Sequence, residues 1–164
     1  MSNPVLKKLD QTVLVGLNIQ TSLSENKTRE LWQAFGPKQR EIQKRVNPEE
    51  KWSVEIYEPG FKMMNFTPQS RFEKWAAVEV TDSEDIPEGM DSLVIPEGKY
   101  AVFTYKGLHK DFPDFARYIF GEWLPSSGYQ LDDRPHFEIM DKRYHGPMDP
   151  ESEEEIWIPI SSAT

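Results

Sequence analysis

Glu138 stands between two apolar residues, Phe137 and Ile139, in a short stretch that reads as a strand. Successive strand side chains point to opposite faces, so Glu138 faces either solvent or a second, helix-covered side while its neighbours enter a core. A carboxylate in aromatic surroundings suits the capture of an organic cation, because ring faces and negative charge both favour a desolvated cation. Desolvation raises the pKa of such a carboxyl, which predicts a group that carries a proton when empty and ionises as the cation arrives. Glu55 sits in the similar string Val54-Glu55-Ile56 and is either a solvated strand residue or a second carboxylate of the same site. Two carboxylates at a suitable separation can divide acid and base roles in a hydrolysis, with Tyr105 a further candidate for activating water. Trp32, Trp75, Tyr105, Tyr118, Phe120, Trp123, Tyr129 and Trp157 form the pool from which a pocket lining or an ordinary core is drawn. Met63 and Met64, just after Pro59-Gly60, make either an adaptable lid or a surface loop.

Other chemistries find no support. His136-Phe137-Glu138 matches half of a zinc deaminase pattern, but the other half needs cysteines and the chain has none. The same lack removes disulfides, thiol nucleophiles and iron–sulfur ligation. His136, Glu138, Asp141 and His145 lack a metal-binding spacing, so no metal and no cofactor is expected. No phosphate-binding loop, dinucleotide fingerprint or serine-nucleophile elbow is present. A net charge of -9 opposes contact with nucleic-acid phosphates. The run Glu151 to Glu155 reads as a solvated approach to a hairpin or as a contact for a basic protein partner. No apolar run nears the roughly 20 residues of a membrane span, and no signal peptide is evident, which makes the cytoplasm the expected compartment.

The elements that must position these groups follow from periodicity. The 164 residues are enough for one domain spanning 1–164. Thr12 to Ile19 reads as a strand, Ser24 as a helix cap, and Thr28, Leu31, Trp32, Phe35 and Gln39 recur at helical spacing, with Gly36-Pro37 interrupting before the helix resumes towards Arg45. Strands are expected at Trp52 to Tyr57 and Phe72 to Val80, then an acidic connector from Thr81 to Met90. The order repeats: a strand at Tyr100 to Tyr105, a helix through Phe112, Phe115, Ile119 and Trp123 that closes at Leu124-Pro125, and strands at Phe137–Ile139 and Ile156–Ile160. Val54-Glu55-Ile56 precedes Phe137-Glu138-Ile139 by about 83 positions, and Lys74-Trp75-Ala76 precedes Ile156-Trp157-Ile158 by about 82. The pattern predicts two β-α-β-β repeats, over about 10–81 and 95–161, packed with pseudo-two-fold symmetry. A ligand site is expected at their seam.

The strings Ile95-Pro96-Glu97-Gly98-Lys99-Tyr100-Ala101, Trp123-Leu124-Pro125, Phe137-Glu138 and Glu155-Ile156-Trp157-Ile158-Pro159-Ile160 occur in that order. In them the chain resembles the GyrI-like family, which includes effector-binding domains of AraC- and MerR-type bacterial regulators and free-standing proteins. The resemblance implies an α+β fold of duplicated β-α-β-β units, an antiparallel sheet with two main helices, and a cleft that takes small organic, often cationic and aromatic, molecules. It places the family's central carboxylate on Glu138 and its aromatic lining on Trp123, Phe137 and Trp157, with Tyr105, Phe120 and Trp75 as further lining candidates. It also implies three kinds of role: a free-standing binder that senses or sequesters a drug or toxin, a hydrolase of a reactive toxin using Glu138 and Glu55, or a gyrase-modulating module that meets a protein partner. Either a monomer or a homodimer is compatible with it.

Overall fold

The computed structural model describes residues 3–163. Its strands are β1 (Val5–Leu9), β2 (Thr12–Thr21), β3 (Lys51–Ile56), β4 (Phe72–Val80), β5 (Asp91–Ile95), β6 (Gly98–Lys106), β7 (Tyr129–Leu131), β8 (His136–Met140) and β9 (Glu153–Ser162). They form one sheet in the order β1-β6-β9-β8-β3-β4-β2-β5, with β7 added against β9, and every pairing is antiparallel. Helix α1 (Thr28–Lys38) lies between β2 and β3. Between β6 and β7, α2 (Phe112–Tyr118) runs through a π-helical stretch (Ile119–Trp123) into α3 (Leu124–Ser127).

The order is symmetric about its centre. The run β6-β9-β8 mirrors β2-β4-β3, and β3 pairs with β8 so that Val54 faces Phe137, Ser53 faces Glu138 and Glu55 faces His136. Each half also repeats one local device: the indole N–H of Trp75 donates to Glu73 at 2.8 Å, and that of Trp157 donates to Glu155 at 3.1 Å. The expected pseudo-two-fold arrangement of two β-α-β-β units is thus the observed one.

Strand β5 lies at one end of the sheet and β6 one strand from the other end, yet only Pro96 and Glu97 separate them in the chain. So short a link forces the sheet to curl until its ends approach. The inward face closes over Leu14, Trp52, Trp75, Tyr100, Phe137 and Trp157, all buried. Phe137 is the hub, stacked on Trp52 at 4.5 Å and on Trp157 at 5.2 Å. Burying each such side chain contributes about 2–3 kcal/mol. Packing is tight enough that a Cβ at Gly16 of β2 would lie 2.0 Å from the Ala76 carbonyl oxygen, so only glycine fits there. The other face carries the helices. Leu31 and Phe35 of α1 pack on Val15, Ala76 and Val78, while Phe115 of α2 and Ile119 just beyond it pack on Ala101, Phe103, Ile156 and Ile158.

Several local expectations need correction. Helix α1 starts at Thr28, because the Ser22 and Thr21 hydroxyls accept the Glu25 and Lys27 N–H groups in a turn that delays it; Ser24 is not its cap. After Pro37 only a 3₁₀ turn, Gln39–Glu41, follows rather than a resumed helix, since Ile42 is already extended. Pro125 does not close the second helix, because a proline fits the first turn of α3; Gly128, at φ 81°, ends it. Strands β1, β5 and β7 have no counterpart in the periodicity.

Candidate functional site

The two helices cover the flanks of their face, α1 over β2 and β4 and α2 over β6 and β9, and leave β3 and β8 between them. Alternation fixes what these central strands present there. Ser53 pairs with Ala76, which packs under α1, and Glu138 pairs with Ile156, which packs under α2; Ser53, Glu55, His136 and Glu138 therefore share the helix-bearing face. Lys74 of β4 lies directly opposite Glu55. A groove between two apolar helix seats is thus floored by polar groups.

These groups are paired. The Lys74 ammonium donates to Glu55 and lies 3.9 Å from Glu138, and the side chains of Lys74, Glu55 and Glu138 are 9%, 12% and 17% exposed. Burial works against the Lys74 charge, but the carboxylates of Glu55 and Glu138 hold its pKa above the ordinary lysine value. Glu138 is pushed well above the ordinary glutamate range, first by burial and then by the charge of Glu55, which the Lys74 charge only partly offsets; a hydrogen bond with Glu55 also favours its protonated form. The unit is thus a buried Lys74–Glu55 ion pair beside a second carboxyl whose charge burial opposes. Glu154 of β9, in the acidic run that reads as solvated, is drawn into the same electrostatic group. Its pKa rises to about 7 through burial and the nearby Glu55 charge.

Towards one end the groove becomes aromatic. Tyr57 stacks on Phe61 at 4.1 Å and meets the His136 ring edge-on at 4.9 Å, with Phe66 and Phe72 packed behind. Phe120, carried by the π-helical stretch, lies 6.2 Å from His136 across the groove. Burial holds His136 neutral, with its pKa lowered to about 3. Burial also raises the Tyr57 phenol, with smaller contributions from Glu55 and Glu138, so that ring adjoins the carboxylates. The 57–71 loop that supplies Phe61 and Phe66 is pinned where the Gly60 N–H donates to Asp133 at 3.0 Å and the Ser24 N–H donates to the Pro68 carbonyl at 2.8 Å. Met64 is 86% exposed and turns away from this cluster.

At Glu154 the groove meets a crevice of about 10 Å³ between Tyr105, His109, Tyr144 and Ser152. A larger recess of about 450 Å³ lies over Ser24, Glu25, Asn26, Lys27 and Glu30, but no residue of the carboxylate group lines it.

Of the residues singled out in the sequence, Glu138, Glu55 and Phe120 come together. Trp75, Phe137 and Trp157 do not: strand alternation puts them on the inward face, opposite Glu138, where they build the core. Trp123 packs edge-on against Phe103 at 5.2 Å under the second helix. Tyr105 donates its hydroxyl to the Leu108 carbonyl and faces the crevice. Lys74, Glu154, Tyr57, Phe61 and His136 were not foreseen as parts of one site. For Lys74 a signal existed, since the two-fold repeat sets it opposite Glu55 as Ile156 is set opposite Glu138.

Comparison with known proteins gives the family and the fold. The GyrI-like small molecule binding domain matches residues 2–161. The transcriptional regulator BrlR of Pseudomonas aeruginosa is 30% identical over 147 residues, 90% of this chain and 51% of BrlR. A DNA gyrase inhibitor of Erwinia billingiae is 35% identical over 88 residues, 51% of this chain and 54% of that protein. The chain thus spans about half the length of the curated relatives it matches. Among solved structures, the C-terminal domain of EcmrR superposes with a TM-score of 0.70 at 12% identity, covering 97% of both chains. SAV2435 bound to tetraphenylphosphonium superposes with a TM-score of 0.68 at 19% identity, covering 98% of this chain and 94% of that one.

Proposed function

Since this chain belongs to the GyrI-like small-molecule-binding family, we propose that its inter-helix groove captures a lipophilic aromatic cation, with Glu138 as the counter-charge and Tyr57, Phe61 and Phe120 as ring surfaces. The observation that carries this reading is the buried Glu138, its pKa raised by that burial, beside an aromatic cluster. An inorganic ion would surrender a large hydration energy to enter such a groove, whereas a delocalised organic cation surrenders little. As the cation arrives its charge replaces the proton on Glu138, and the carboxylate so formed is stabilised in a medium where charge pairs are strong. The rings of the ligand meet ring faces that favour positive charge. Tetraphenylphosphonium bound to the structural relative SAV2435 supports the same class of ligand.

A hydrolytic reading has less behind it. It needs Glu55 free to act as a base, but Glu55 is committed to Lys74, and the Tyr105 hydroxyl is committed to Leu108.

The test is thermal unfolding of the wild type and Glu138→Gln with tetraphenylphosphonium and with neutral triphenylphosphine oxide. At a hundredfold excess over Kd the phosphonium stabilises the native state by about 2.7 kcal/mol, or a Tm rise of about 5–10 °C for a chain of this size. The rise is expected in the wild type alone and with the cation alone. An equal rise in Glu138→Gln, or with the neutral compound, would remove Glu138 from the central role.

A further inference from the structure

The pseudo-two-fold relation can be followed residue by residue across the central Val54–Phe137 pair. It makes Glu138 the counterpart of Glu55 and His136 the counterpart of Ser53. One strand further out, Lys74 faces Glu55 where its counterpart Ile156 faces Glu138. A groove with true symmetry would therefore offer a cation two equivalent carboxylate seats. In this chain one seat is filled from within, because the Lys74 ammonium is hydrogen-bonded to Glu55 and buried with it. A second departure adds acid to the other half, where Glu154 stands in the position of Phe72.

Resting on the cation-binding reading above, we infer that Lys74 sets the charge of the ligand: it fills the Glu55 seat with an internal cation, so that the groove seats a single positive centre at Glu138 and has no counter-charge left for the second centre of a dication. The second centre of a dication would have to approach Glu55, where it meets the ammonium. At about 5 Å and an effective dielectric near 20, an open Glu55 carboxylate would favour that centre on the order of 100-fold, and the ammonium cancels the gain. His136 carries no charge at neutral pH and does not alter this balance. Glu154 is near enough to Glu55 and Lys74 to feel both charges, but it is the same in every variant compared below and so does not enter the contrast between them.

The experiment is calorimetric titration of the full chain at pH 7 with tetraphenylphosphonium and with a short alkane bridging two triphenylphosphonium groups. The wild type is expected to favour the monocation. Lys74→Met should move the ratio of affinities towards the dication by at least tenfold, and Glu55→Gln combined with Lys74→Met should return it to within a few-fold of the wild type. Lys74→Gln, whose amide still hydrogen-bonds Glu55 without carrying charge, should give the same shift and serves if Lys74→Met does not fold. A folded neutral variant with the wild-type ratio, or a wild type that already prefers the dication, would overturn the role of Lys74 alone. A wild type that binds neither phosphonium would overturn the cation-binding reading and this inference together.

Discussion

Burial of ionisable side chains in the groove ties its chemistry to pH. Glu154 has a folded pKa of about 7 against an ordinary 4.5, so its contribution to stability is complete below pH 4.5 and is lost as pH rises through 7. His136 acts in the opposite sense: lowered to about 3 from 6.5, it contributes fully above pH 6.5 and loses that contribution as pH falls towards 3. Glu154→Gln should therefore lose less stability than the wild type between pH 5 and pH 8, by up to about 3 kcal/mol, as measured by urea unfolding at the two pH values. Equal losses in both proteins would mean that Glu154 is better solvated than its surroundings indicate. At this scale legibility was partial. Glu138 announced itself by its apolar neighbours, and the family likeness gave it a place. Lys74, between Glu73 and Trp75, and Glu154, inside a run of acids, looked like surface charges, because only strand pairing shows what lies across from them.

Among the elements, the 57–71 loop is where binding strength can be adjusted without touching the charge. Phe61 stacks on Tyr57 and adjoins His136, yet it takes no part in the ion pair. Phe61→Ala should weaken tetraphenylphosphonium binding about tenfold by removing a ring face. It should leave the pH dependence of Kd unchanged, since the proton is displaced from Glu138; calorimetry at two pH values checks both. Strand β4 was legible to its ends, Phe72 to Val80, because the apolar run Trp75 to Val78 at its centre is flanked by Phe72 and Val80. The edge strands β1 and β5 were not legible, for Val5–Leu9 is nearly all exposed and Asp91–Ile95 has only Ile95 buried. Alternation alone set Phe137 opposite Glu138. The family likeness nevertheless suggested a lining role for Phe137 and Trp157, and the register places both, with Trp75, in the inward core.

For the molecule as a whole, a net charge of -9 draws cations towards the surface before any of them reaches the groove. Association of tetraphenylphosphonium should therefore slow several-fold when ionic strength rises from about 0.01 M to 0.3 M, with dissociation nearly constant, because screening acts on the approach and not on a buried pair. Stopped-flow fluorescence would separate the two rates. A dissociation rate that carried the salt dependence would place the bound ligand in solvent. The central Val54–Phe137 pairing has a last consequence, for history. Two identical copies of one half, associating as separate chains, would be bound to show the same residue twice: two lysines at the position of Lys74, or none. Joining the copies in tandem lifts that constraint and lets one half keep its acid open while the other supplies a resident cation. The asymmetry of the groove is thus a freedom that two identical separate copies could not have.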